Sequence, residues 1–169
     1  MGAAWVFVRS GTTWTQQGNK LVGTGAVGIS QQGTSVAISA DGNTALIGGA
    51  SDNSGAGAAW VFTRSGTSWT QQGDKLVGSG AIPYANQGIS AAISADGNTA
   101  IVGSKSDGAW VFTRSGSVWT QSGPPLVSTD AIGTAIQGYS VCISADGNTA
   151  LTGGPADNSY VGAAWVYIH

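Results

Sequence analysis

The stretch GTSVAISADGNTALIGG, residues 33–49, decides how this chain is read. Two runs of small, apolar and β-branched residues flank Ala40-Asp41-Gly42-Asn43. Asp-Gly between two such runs is a strong short-range hairpin signal, because Gly takes a positive φ without steric cost. The motif DGNTA returns at residues 96–100 and 146–150, first 55 and then 50 residues further on. A turn written three times at nearly constant spacing marks a tandem repeat.

The flanks repeat with the turn. GAAWVF begins at Gly2 and Gly57, GAWVF at Gly108 and GAAWVY at Gly162. A second Trp follows nine residues after the first in the pairs Trp5/Trp14, Trp60/Trp69 and Trp110/Trp119. One repeat reads as four short strands, at residues 33–39, 44–49, 58–64 and 68–73. The links between them are short, so neighbours pair antiparallel. On this count, residues 2–32 supply strands three and four of a split unit. Residues 33–87 and 88–137 are full units, and 138–169 supply strands one to three of another.

Composition agrees with an all-β chain. Only 8% of the residues are charged and Glu is absent, which leaves few of the side chains that cover exposed helix faces. No helix is expected. The 28 glycines, with abundant Ser, Thr, Val and Trp, suit many strands and tight turns. A net charge of −2 supplies no basic field for nucleic acid. No run reaches the roughly 18 apolar residues of a membrane helix, and no signal peptide is visible before Gly2. Cys142 is the single cysteine and stands where the other copies have Ala37 and Ala92, so it reads as a small strand filler.

A four-stranded unit of about 50 residues in tandem is the sequence signature of a β-propeller blade. Both faces of a blade pack on neighbouring blades, which explains why VAIS and AWVF are apolar or small on both faces. The end fragments together make one more blade, with one strand three to spare, for about three blades per chain. Three blades do not close a ring, since propellers start at about four. Bare strand edges and blade faces template association. A homodimer giving six blades is therefore expected, with a higher oligomer or an open filament as the other solutions.

At these residues the chain resembles the FG-GAP repeats, especially their bacterial form. QGTSVAIS, TALIGGASDN and GAAWVF are similar to that family's Phe-Gly strand, Gly-Ala-Pro turn and Gly-x-Val-Tyr-Val-Phe strand, and TRSGTSWTQQGDKLVG is similar to the bacterial downstream segment. The resemblance covers nearly the whole chain. It implies a propeller like the integrin α-subunit head, an extracellular or cell-surface location, and a role in adhesion or protein binding. Gln32, Gln87 and Gln137 depart from it, standing where the family often has Phe. Gly49-Ala50 becomes Gly103-Ser104 and then Gly154-Pro155 in the later copies. Calcium-binding members carry D-x-D-x-D-G-x-x-D between strands one and two. Here that loop holds one carboxylate, too few for a cation that needs six to eight oxygens. The same stretch differs from the sialidase Asp box in its glycine spacing and lacks that box's closing Trp.

Candidate sites follow from the loops. Turns after strands one and three are nearly invariant: ADGN three times, and RSGT or RSGS. Loops after strands two and four vary, and variable loops on a rigid scaffold carry binding. The candidate binding residues are accordingly Asp52, Asn53, Tyr84, Lys105, Asp130, Asp157 and Tyr160, for a protein or carbohydrate ligand. Trp5, Trp60, Trp110 and Trp165 read as packing residues, and Arg9, Arg64 and Arg114 as hydrogen-bond partners of turns. The only His is residue 169, Cys142 has no His beside it in sequence, and no phosphate loop opens a helix, so catalysis, cofactor and metal are not expected. The function expected is a non-enzymatic propeller module for binding or adhesion. The alternative is a self-assembling structural protein, or an excised or engineered propeller piece with no ligand.

Overall fold

A computed structural model describes residues 2–106 and 108–168. It contains four antiparallel sheets of two, four, four and three strands. The first sheet is β1 (Phe7–Ser10) with β2 (Thr13–Gln16). The second runs β3 (Ser35–Ile38), β4 (Thr44–Gly49), β5 (Ala58–Ser65) and β6 (Ser68–Gln71). The third repeats it as β7 (Ser90–Ile93), β8 (Thr99–Gly103), β9 (Ala109–Ser115) and β10 (Val118–Gln121). The fourth holds β11 (Ser140–Ile143), β12 (Thr149–Gly154) and β13 (Ala163–Ile168). Strand order within each sheet follows the chain, as short connections require.

Strand one is shorter than expected. Gly33 has φ 95° and Thr34 donates to the Gln31 carbonyl, so the chain is still turning before Ser35. Two short helical turns, α1 (Asp52–Gly55) and α2 (Asp157–Tyr160), replace the plain loops expected after β4 and β12. Asn53 and Ser54, and their counterparts Asn158 and Ser159, sit in the left-handed region, which Asn tolerates better than most residues. The second copy of this loop is shorter and carries no such turn among its described residues.

The DGN turns close every β-hairpin between strands one and two. Asp41 Oδ1 accepts the Ser39 hydroxyl and the Asn43 amide, and Oδ2 accepts the Asn43 side-chain amide. Ser94–Asp96–Asn98 and Ser144–Asp146–Asn148 repeat the arrangement. Arg64 Nε then donates to Asn43 Oδ1 at 2.9 Å, and Arg114 Nε to Asn98 Oδ1 at 3.0 Å. Each arginine thus ties strand three to the turn of its own sheet.

The sheets pack face against face through apolar side chains. Leu21, Ala45, Ile47, Trp60 and Phe62 join the first and second sheets. Leu46, Val61, Val102, Trp110 and Phe112 join the second and third. Ile101, Ala109 and Ala150, with Val111, Val141 and Ile143, join the third and fourth. The first strands of successive sheets are also tied by polar groups. Ser35 Oγ donates to the Gly88 carbonyl and Ser90 Oγ to Gly138, while Ala40 N donates to Ala95 O and Ala95 N to Ala145 O.

Candidate functional site

Antiparallel pairing separates two ends of the stack. One end carries the DGN and strand three-to-four turns. The other carries α1, α2 and the connectors that lead from one sheet to the next, at residues 22–34, 77–89 and 127–139.

A buried glutamine shapes each connector. Gln32 Oε1 accepts from Gly23 N at 2.6 Å while its Nε2 donates to Gly23 O at 2.9 Å. Gln87 does the same to Gly78, and Gln137 to Ser128. A side-chain amide here replaces a strand partner, which accounts for polar residues at positions where an apolar Phe was the family expectation. Strand-three tryptophans dock on the same turn. Trp60 Nε1 donates to Thr24 O and Trp110 Nε1 to Ser79 O, and a Cβ on Gly23 or Gly78 would overlap these indoles. In the last copy Ser128 replaces the glycine, and Trp165 Nε1 donates to the Asp130 carboxylate instead.

The seven candidate residues divide by burial. Asp52 is fully buried: Oδ1 accepts the Val27 amide at 2.7 Å and Oδ2 pairs with Lys75 at 2.5 Å. Asp157 is also buried and accepts the Ile132 amide. Both carboxylates hold a connector against its helical turn and do not face solvent. Asp130 is exposed, its carboxyl held below the ordinary range by the Ser128 hydroxyl and then by the Trp165 indole. Asn53, Tyr84, Lys105 and Tyr160 are exposed, with Tyr84 71% and Tyr160 80% accessible.

The fold brings part of this set together. Asn86 N donates to Gly55 O in α1, Lys105 N donates to Ala85 O, and the Tyr84 ring lies against Gly55. Tyr84 and Lys105 therefore share the connector at 77–89 with the end of α1, while Asn53 N donates to Val27 O in the connector at 22–34. A second group forms around residues 130–136: Asn158 N donates to Ile132 O, so α2 with Tyr160 lies on the connector that carries Asp130. Sequence reasoning missed the aliphatic residues that complete this surface. Val27, Ile82 and Ile132 occupy equivalent connector positions and are all exposed, as is Ile29. Their shared place in AVG, AIP and AIG was the available signal. Among the described residues no group of three or more His, Cys, Asp or Glu side chains could hold a metal. A scan against protein-family models returns no match, and no curated protein matches the chain.

Proposed function

We propose that the chain is a non-enzymatic β-propeller module of the FG-GAP type, three blades per copy, which binds a protein or glycan ligand through its connector end and closes its ring with a second copy. The observation that carries the reading is the repeat of one sheet-to-sheet interface. The same strand positions pack on the next sheet twice over, and the same serine and turn amides bond across each time. A stack that repeats one geometry turns by a constant step, which is how blades fan around an axis.

The ligand surface is the connector end. Tyr84, Tyr160, Ile29, Ile82 and Ile132 expose aromatic and aliphatic groups in a rim of Ser, Asn and Lys105. Exposed Tyr beside small polar residues is the composition of protein-recognition loops, and tyrosine faces also stack on sugars. The opposite end presents the same turn three times, with its carboxylates already occupied. Extracellular or cell-surface placement goes with this reading. Electron microscopy of the purified chain, followed by a protein and glycan array, tests it. Discrete rings and a hit lost in Tyr84→Ala or Tyr160→Ala support a closed binding module. Long filaments favour the structural alternative, because head-to-tail contacts that do not close grow open fibres.

A further inference from the structure

Two bonds of the second sheet, one of them repeated in the third, are present elsewhere only as separated halves, one half on the first sheet and the other on the last. In the second sheet Asp52 on α1 pairs with Lys75, which follows the fourth strand. The third sheet has Pro125 at the Lys75 position and so lacks the cation of this pair. Among the described residues, the fourth sheet has a buried Asp157 with no cation on it, and the first sheet has an exposed Lys20 at the Lys75 position with no carboxylate on it. The second division concerns the turn. Asn43 and Asn98 each receive an arginine, whereas no guanidinium reaches Asn148 among the described residues. Arg9, at the Arg64 position, donates to the Gly11 carbonyl instead.

The apolar faces divide in the same way. Leu46 and Val61, fully buried against the third sheet, correspond to Leu151 and Val166, which are 36% and 59% exposed. Cys142 lies beside them on the same open face. At the other end Val36 and Ile38 are 62% and 54% exposed and, with Trp5 and Phe7, line an open groove between β1 and β3. Their counterparts Val141 and Ile143 are packed in an interface. Cross-sheet donors run out at Ser140 Oγ and Ala145 N, and the matching acceptor positions are Gly33 O and Ala40 O.

β13 and the segment leading through β1 are the same strand: AAWVYI at 163–168 and AAWVFV at 3–8. Only one of them fits beside β12. β13 holds that place here with its alanines exposed, whereas Ala58 and Ala59 of β5 are fully buried. Resting on the self-association proposed above, we infer that the β1–β2 hairpin of a second copy replaces β13 on β12. The exchange makes one complete sheet from β11 and β12 of one copy and β1 and β2 of the other. It brings Arg9 to Asn148 and Lys20 to Asp157, and it seats Leu151 and Cys142 against Val36 and Ile38. A hairpin already paired over four residue pairs carries both charges with it, so it out-competes a single strand that carries neither.

Zero-length carbodiimide cross-linking of the full chain tests this, because the reagent joins only amines and carboxylates already in contact. Isotopically light and heavy protein are unfolded together, refolded and cross-linked, and the Asp52–Lys75 peptide serves as the within-chain control. A Lys20–Asp157 peptide carrying mixed labels is expected. Hydrogen exchange on the same sample should show residues 166–168 losing protection and Phe7 and Val8 gaining it. An assembly with no Lys20–Asp157 link, or one in which β13 stays protected while β1 exchanges freely, overturns the strand exchange and leaves self-association standing. A species that stays at 16.8 kDa removes self-association itself.

Discussion

Gln87 condenses what single residues do in this fold. Its amide satisfies both main-chain groups of Gly78 in a fully buried setting. Gln87→Ala leaves both without a partner, and each such group costs about 1–3 kcal/mol. A loss of about 2–6 kcal/mol of unfolding free energy is expected, read as a lower urea midpoint. The turn aspartates act through pH. Asp41, Asp96 and Asp146 all have carboxyl groups held below the ordinary value of 3.8, first by the Ser hydroxyl two residues earlier and then by the Asn amide two residues later. A carboxylate favoured by folding adds stability above its unfolded value, and that stability is lost as pH falls through the lower folded one. Thermal stability should therefore fall as pH drops below about 3.8, and replacing all three with Asn should flatten that part of the curve. The turn itself was readable from Asp-Gly. The glutamine's role was not, because a side chain that substitutes for a strand leaves no periodic trace.

At the scale of the element, strand three depends on the glycine it leans on. Gly78 has no room for a Cβ because the Trp110 indole fills the space, whereas Gly80 opens onto empty space at φ 77°. Gly78→Ala must displace a buried tryptophan and should cost about 1–3 kcal/mol or more. Gly80→Ala meets only the left-handed backbone penalty of about 1–2 kcal/mol. Trp110 fluorescence separates the two, since only Gly78→Ala should shift its emission toward that of exposed indole. Strand order, pairing direction and the invariant hairpins were legible because turn chemistry and short links leave few alternatives. The short helical turns α1 and α2 were not legible. ASDNSGAG and PADNSYVG read as plain loops, and their shape depends on a buried Asp reaching a connector about 25 residues away in sequence, Val27 for Asp52 and Ile132 for Asp157. The same bonds removed two carboxylates from the candidate binding surface.

For the whole molecule, equivalent residues should behave differently according to which sheet carries them. Leu46→Ala opens a cavity in a packed interface, and such changes cost about 2–5 kcal/mol. Leu151→Ala, at the same strand position but part exposed, should cost under about 1 kcal/mol in a dilute chain and instead weaken association. Denaturation run at low and high protein concentration checks this, since only Leu151→Ala should lose the concentration dependence. Repeat length and apolar strand faces made the stacked sheets legible in advance. The pairing inferred for Lys20 with Asp157 and for Arg9 with Asn148 was not legible in sequence, because it rests on the strand register that matches each residue to its counterpart in the second sheet.

The central claim is that the two open faces are halves of one interface. Sedimentation equilibrium of the purified chain over a wide concentration range tests it most directly. A mass twice 16.8 kDa, held down to micromolar protein, is the predicted result. A single 16.8 kDa species at every concentration would contradict the account.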